Sequence, residues 1–296
     1  MAHSFILSCE STVDMPYSYM QSRDIPVIFY SYTMGGEQYE DDMGRDSGAL
    51  PRFYEMLKAG KMPSTSQINE YTYVEHFEEL LQKGDVLHLV FSSGLTASLR
   101  NAQDVAKELS AKYPDRKIIV IDSLCACTGY GLLVEGVADL RDSGASIDEA
   151  AEWARKYSTR VQHQFFSTDL TQFKRSGRVS GPAATFGTLL GICPLMHLNR
   201  EGRIIAYDKV RGKKNAIEAT AKAVAELAEN GSAYSGRCYI SHSNCPDLAE
   251  AMREALRDKI PAAYDNISIL NIGTIVASHC GPGTVAVFFY GSERGE

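Results

Sequence analysis

At 296 residues the chain exceeds what one ordinary hydrophobic core organises, so two domains are expected. Its 44% hydrophobic and 23% charged residues exclude a disordered chain. A net charge of -7 excludes nucleic-acid binding by overall charge and favours a soluble cytoplasmic protein.

Phe5–Cys9 predicts a first strand, running into the oxygen-rich loop Glu10-Ser11-Thr12-Val13-Asp14-Met15-Pro16. Ile25–Thr33 reads as a second strand before a Gly35-Gly36 turn. Ser47 is positioned to cap a helix carrying Leu50, Phe53, Tyr54 and Leu57. A hydroxyl-dense loop, Pro63–Gln67, precedes a helix capped by Asn69. Val86–Phe91, broken only by His88, is a near-continuous apolar strand of the kind buried on both faces of a parallel sheet. It empties into Ser92-Ser93-Gly94-Leu95-Thr96-Ala97-Ser98 and a helix with Leu99, Ala102, Val105, Ala106 and Leu109 inward. Lys117–Asp122 is the next strand, and Ser146 with Glu149 forms a capping box. Strands alternating with helices predict a parallel sheet with crossover helices.

The second half changes character, and we place the division near residue 160, giving domains 1–160 and 161–296. Gln164–Thr168 reads as a strand before the basic stretch Phe173–Gly181. After a short helix, Ile192–Leu198 and Arg203–Tyr207 form a hairpin closed at Gly202. An Ala-rich helix to about Glu229, the strand Cys238–His242, a helix over 247–259 and the strand Ile267–Ile272 follow. The segment Ile275–Phe289 reads as a strand, a His279-Cys280-Gly281-Pro282-Gly283 turn and a second strand. The expected fold class is therefore α/β in two lobes: an N-terminal parallel-sheet domain and a C-terminal α+β domain.

The start has no basic region followed by a long apolar core, so no secretion signal is expected. No window approaches ~18 uninterrupted apolar residues, so no membrane span is expected either. Seven scattered cysteines suit reduced, buried thiols; Cys125 and Cys127 form only a Cys-x-Cys, too little for zinc. There is no Gly-x-Ser-x-Gly elbow, no P-loop and no His-Glu-x-x-His. What remains is hydroxyls gathered at strand ends and helix starts, which suit a carboxylate or phosphate beyond plain helix capping. His279 either serves such a head group or merely caps a turn. A Ser93 or Thr96 hydroxyl paired with His279 would suit a hydrolase or acyltransferase, although no orienting acid stands out. A thiol sensor built on Cys125 and Cys127 is a third reading. The clusters Lys174, Arg175, Arg178 and Lys209, Arg211, Lys213, Lys214 are either solvated surface or contacts for phosphate or a partner.

Seven short motifs, in order along the whole chain, resemble the DegV family of bacterial fatty-acid-binding proteins. They are Ser11-Thr12-Val-Asp14-Met-Pro16, Thr65-Ser66-Gln67, Ser92-Ser93-Gly94-Leu95, Ile121-Asp122-Ser123, Gly177-Arg178-Val-Ser180, Lys209-Val-Arg211-Gly-Lys213-Lys214 and His279-Cys-Gly281-Pro282-Gly283-Thr284. The resemblance implies two α/β lobes holding a long-chain free fatty acid in a tunnel between them. It also implies that a separate ATP-dependent fatty acid kinase phosphorylates the carboxylate and that the acyl phosphate then stays bound for phospholipid synthesis. No cofactor is implied, and membrane contact is expected only transiently, for lipid exchange. Thr65, Ser66, Ser93, Gly94, Thr96, His279, Cys280 and Arg178 are implied as head-group residues. Arg211 and Lys213 are implied as contacts for the kinase or the phosphorylated head. The chain departs from the family at Thr96-Ala97-Ser98, usually Ser-Gly-Thr, at Cys280, often Thr, and at Ile68, often Pro. Phe165-Phe166 and Phe186–Leu190 are candidate tunnel linings, or ordinary core.

Overall fold

The computed structural model describes residues 3–180 and 191–295. Strands β1 (Ile6–Glu10), β2 (Val27–Ile28), β6 (Val86–Val90) and β7 (Ile118–Asp122) form an all-parallel sheet in the order β2-β1-β6-β7. Every residue of β6 is buried, as its near-continuous apolar run requires when helices cover both faces; His88, its one polar residue, is hydrogen-bonded to Ser8 at 2.7 Å. The covers are the helix pairs α3 (Glu70–Leu81) with α4 (Ser98–Lys112) and α5 (Cys127–Asp142) with α6 (Ile147–Tyr157). Asn69 caps α3 by accepting from the Thr72 amide, and Ser146 and Glu149 make the reciprocal box that starts α6.

From Val161 onward the strands enter a second, seven-stranded sheet. Its order is β13 (Ile267–Asn271), β12 (Cys238–His242), β14 (Thr284–Tyr290), β8 (Val161–Ser167), β10 (Ile192–Leu198), β11 (Ile204–Arg211) and β9 (Val179–Ser180). Pairing is antiparallel except for β12 with β13 and β11 with β9. Period-two alternation sorts the side chains between two cores. Val285, Val287, Phe289 and Phe166 face α8 (Lys213–Leu227) and α9 (Pro246–Leu256), while Ala286, Phe288 and Phe165 join the core that the N-terminal half occupies. Phe165 and Phe166 thus belong to different cores.

Helix α5 lies between the two sheets and buries all but Asp139, Leu140 and Asp142. A Cβ at its Gly129 would sit 2.7 Å from Phe288 Cδ1, so the helix can lie this close to β14 only with glycine there.

Three expectations are corrected by the fold. The stretch Ile25–Thr33 is not one strand: the chain leaves the parallel sheet after Ile28 and begins an antiparallel sheet at β3 (Ser31–Met34), with the Tyr30 amide donating to Ser11 Oγ at the corner. That sheet, ordered β4-β3-β5, also contains β4 (Glu37–Glu40) and β5 (Pro63–Ser66), the latter expected as a loop. Pro63 disfavours a strand and the Ser64 and Ser66 hydroxyls read as loop, and pairing with β3 overrides both. The run entering His279 is not a strand but the helix α10 (Thr274–Cys280). Ile275 and Val276 favour strands, yet the buried set Thr274, Ile275, Ala277, Ser278 and Cys280 has helical spacing and docks against β5 and α7 (Thr171–Ser176). A smaller shift affects α2 (Ala49–Lys58), which is capped at Gly48 rather than Ser47. The short helix expected before Ile192, and the candidate lining Phe186–Leu190, lie outside the described residues.

Candidate functional site

A cavity of about 660 Å³ opens where the parallel sheet, the small antiparallel sheet and the α10–β14 corner meet. One end is polar. Thr65 comes from β5, Ser93 and Thr96 from the loop after β6, and His279 and Cys280 from the last turn of α10. Arg178 comes from the segment between α7 and β9. Positions 65 and 279 are 214 residues apart, yet Thr65 Oγ1 lies 2.9 Å from His279 Nε2. The rest of the wall is mostly apolar, and strand alternation supplies much of it: Phe165 on β8, Ala286 and Phe288 on β14, then Leu198 and Ile204 across the β10–β11 pair.

Burial, with the neighbouring Arg178 and Arg175 guanidinium groups adding to it, lowers the His279 pKa to about 4. At neutral pH the imidazole is therefore uncharged and hydrogen-bonds through one donor and one acceptor nitrogen. Arg178 is exposed at the rim and supplies the positive charge there; Arg175 is tied to the Pro63 carbonyl at 3.0 Å and to Gln172. Neutral donors backed by one cation at an apolar cleft suit an anion with a greasy tail.

Because folding holds His279 below its usual pKa, the neutral ring's contribution is fully present above pH 6.5 and is lost as the pH falls toward about 4. His76, held down to about 3 mainly by burial, acts in the same direction. The expected result is a urea unfolding midpoint that drops steadily between pH 6.5 and 4, with a shallower drop in His279→Gln. A midpoint flat across that window contradicts the assignment.

Of the other residues expected at the head group, Ser66 also lines the cavity, while Gly94 does not. A Cβ on Gly94 would lie 2.6 Å from the Glu201 carbonyl oxygen and equally close to the Gly202 backbone, so its task is close approach of the loop to the β10–β11 turn. Arg211 and Lys213 are exposed outside the cavity, at the end of β11 and the start of α8. Cys125 and Cys127 are buried, and burial pushes the Cys125 thiol up to about 11 and Cys127 higher than its ordinary value; neither is poised to react. No carboxylate among the described residues hydrogen-bonds to His279, whose side-chain partner is Thr65 rather than Ser93 or Thr96, so the geometry lacks an oriented Ser–His pair.

Sequence reasoning did not assign Tyr30, Phe91, Ala126, His163, Ile275 or Ala286 to the cavity wall. The alternation of Thr284, Ala286 and Phe288 was visible, but nothing in it showed which face meets the cavity.

A family model described as "Uncharacterised protein, DegV family" matches residues 6–292. The chain belongs to the DegV family. A DegV domain-containing protein of Clostridium perfringens is 35% identical over 292 residues, 98% of each chain. Among solved structures, a fatty-acid-binding DegV family protein of Streptococcus agalactiae superposes with a TM-score of 0.84 at 25% identity, covering 99% of this chain and 100% of that one. A DegV family protein of Thermus thermophilus, solved in a study of its fatty acid binding, gives 0.84 at 25% identity, with 97% and 99% covered. The family fold therefore extends over nearly the whole chain. No helix among the described residues is long and apolar enough to cross a membrane.

Proposed function

We propose that the chain binds one long-chain free fatty acid in this cavity, with the carboxylate at the Thr65–His279 pair and the tail along the β8–β14 wall. The observation that carries the reading is the 2.9 Å contact between Thr65 and His279 in the wall of a largely apolar cleft. Ser66, Ser93, Thr96, Cys280 and Arg178 complete the head-group surroundings. Gly94 holds the loop in place. The two lobes, 1–160 and 161–296, each contribute part of the site, and the fatty-acid-binding relatives support the choice of ligand.

Burying ~15 methylenes at about 0.8 kcal/mol each gives roughly 12 kcal/mol gross, before ordering costs. Hydrogen bonds to the carboxylate net only about 1.5–3 kcal/mol apiece. Affinity therefore comes from the tail and orientation from the polar end. The protein does no chemistry of its own in this reading. It presents the carboxylate at the rim to a separate ATP-dependent fatty acid kinase and then carries the acyl phosphate, a cytoplasmic task with only transient membrane contact.

Arg211 and Lys213, exposed and outside the cavity, are the proposed contacts for the kinase or the phosphorylated head. With a fatty acid kinase and ATP, Arg211→Glu is expected to bind oleate as the wild type does while its phosphorylation slows at least ~10-fold, the loss of one charge-assisted contact. Equal rates for the two proteins contradict the docking role; failure of the wild type to displace a fluorescent fatty acid with oleate contradicts ligand binding itself.

A further inference from the structure

A second cavity, of about 1150 Å³, is lined by residues from the segments 14–21, 41–55, 242–246 and 269–274, so both halves of the chain build it. Two carboxylates on its wall are buried: Asp14 is 7% exposed and Asp41 1%. Asp14 ends the turn Ser11–Val13 with φ at 49°, and Asp41 follows β4. The two side chains converge on Gly273, where an added Cβ would clash with Asp14 Oδ1 and lie 3.4 Å from Asp41 Oδ1.

Three of their four oxygens have no hydrogen-bond partner: both of Asp14 and Oδ2 of Asp41. The fourth, Asp41 Oδ1, accepts from the Thr274 hydroxyl at 2.7 Å. The Cys127 thiol and Gly273 amide near Asp14, and the Ser11 hydroxyl near Asp41, complete no hydrogen bond of ordinary geometry to those three oxygens. Nor is a cation supplied from within. Arg45, on the same wall, is paired with Glu40 and Asp42, and no ion pair among the described residues includes Asp14 or Asp41. An ionised carboxylate can only accept, and two of them gathered out of water need a positive partner. Burial, with the Asp41 charge adding to it, holds the Asp14 carboxyl well above its usual pKa, as expected of a pair without that partner.

We propose that Asp14 and Asp41 hold one hard divalent cation, magnesium or calcium, at this second cavity. Hard cations take oxygen donors, and the charge of two carboxylates matches that of one such ion. No group of three or more His, Cys, Asp or Glu among the described residues is placed to hold a metal. Magnesium suits the pair, since one or two carboxylates commonly hold it while it keeps several waters, and the cavity has room for them. Neither Asp lines the fatty-acid cavity, so the site stands whether or not that reading does.

The test is thermal unfolding of the full chain after treatment with EDTA, titrated with magnesium chloride or calcium chloride at pH 7.5. Sodium chloride at matched ionic strength is the control. One of the two ions, at about ten times its dissociation constant, is expected to raise the midpoint by about 3 °C. Asp14→Asn and Asp41→Asn should each lose that shift. Asparagine tolerates the backbone angle of residue 14, so without metal Asp14→Asn should unfold no lower than the wild type, having lost one of two crowded charges. Asp46→Asn, exposed on the same wall, should keep the wild-type shift. A wild type that responds to neither ion beyond the sodium chloride control overturns the proposal, the pair then being held by a shared proton. A full shift retained in a folded Asp14→Asn or Asp41→Asn variant puts the ion elsewhere and overturns it too, and each variant serves if the other fails to fold. A shift lost equally in Asp46→Asn marks general surface electrostatics and has the same consequence.

Discussion

Ala286→Phe is expected to weaken oleate binding about 100-fold while leaving the free protein folded. Ala286 lies on β14 opposite Phe165 of β8, its side chain on the cavity wall. A phenyl ring projecting from that position occupies space meant for the tail. Displacing three or four methylenes at ~0.8 kcal/mol each removes about 3 kcal/mol of binding free energy, which is the factor of 100. Overpacking a filled core costs ~1–3 kcal/mol, but here the ring enters a void, so the urea midpoint of the empty protein should move little. Fluorescence displacement gives the affinity. An unchanged oleate affinity contradicts the path assigned to the tail.

The second large effect falls on Gly94. An added methyl would press on the backbone of Glu201 and Gly202, and that turn cannot give way cheaply. The Gly202 amide donates to the Asn199 carbonyl at 3.0 Å, the Asn199 amide to the Arg203 carbonyl at 2.9 Å, and Ser92 Oγ to the Gly202 carbonyl at 2.9 Å. Gly94→Ala must therefore move either the turn or the loop that carries Ser93 and Thr96. The expected cost is about 2–4 kcal/mol in stability, read as a lower urea midpoint. Displaced Ser93 and Thr96 should also lower oleate affinity by at least ~10-fold, since one lost charge-assisted hydrogen bond is worth that much. Wild-type stability in Gly94→Ala contradicts the close-approach role.

Much of this was legible in the residues because periodicity and capping are local properties. The near-continuous apolar run Val86–Phe91 announced a doubly covered strand, and Ser146 with Glu149 announced a helix start. What remained hidden depended on tertiary context. β5 is a strand because Ser31–Met34 offers it a partner, and α10 is a helix because its buried face docks on β5 and α7, against the preference of Ile275 and Val276. The polar residues of the site were readable one by one as hydroxyls at helix starts and a His beside a Gly-Pro-Gly turn. The apolar wall was not, because alternation along β8 and β14 marks two faces without saying which faces the other lobe. Gly94 illustrates the same limit: its place among hydroxyls suggested a ligand contact, while its surroundings assign it to the meeting of two backbones.

The central claim is that polar groups from distant parts of the chain converge on one acidic head whose hydrocarbon tail lies buried beside them. Native mass spectrometry of the purified protein tests it most directly. The account predicts one bound fatty acid per chain, either carried through purification or taken up from added oleate, and its marked loss in a Thr65→Val, His279→Ala double variant that still folds. A wild-type chain that stays empty with oleate in excess contradicts it.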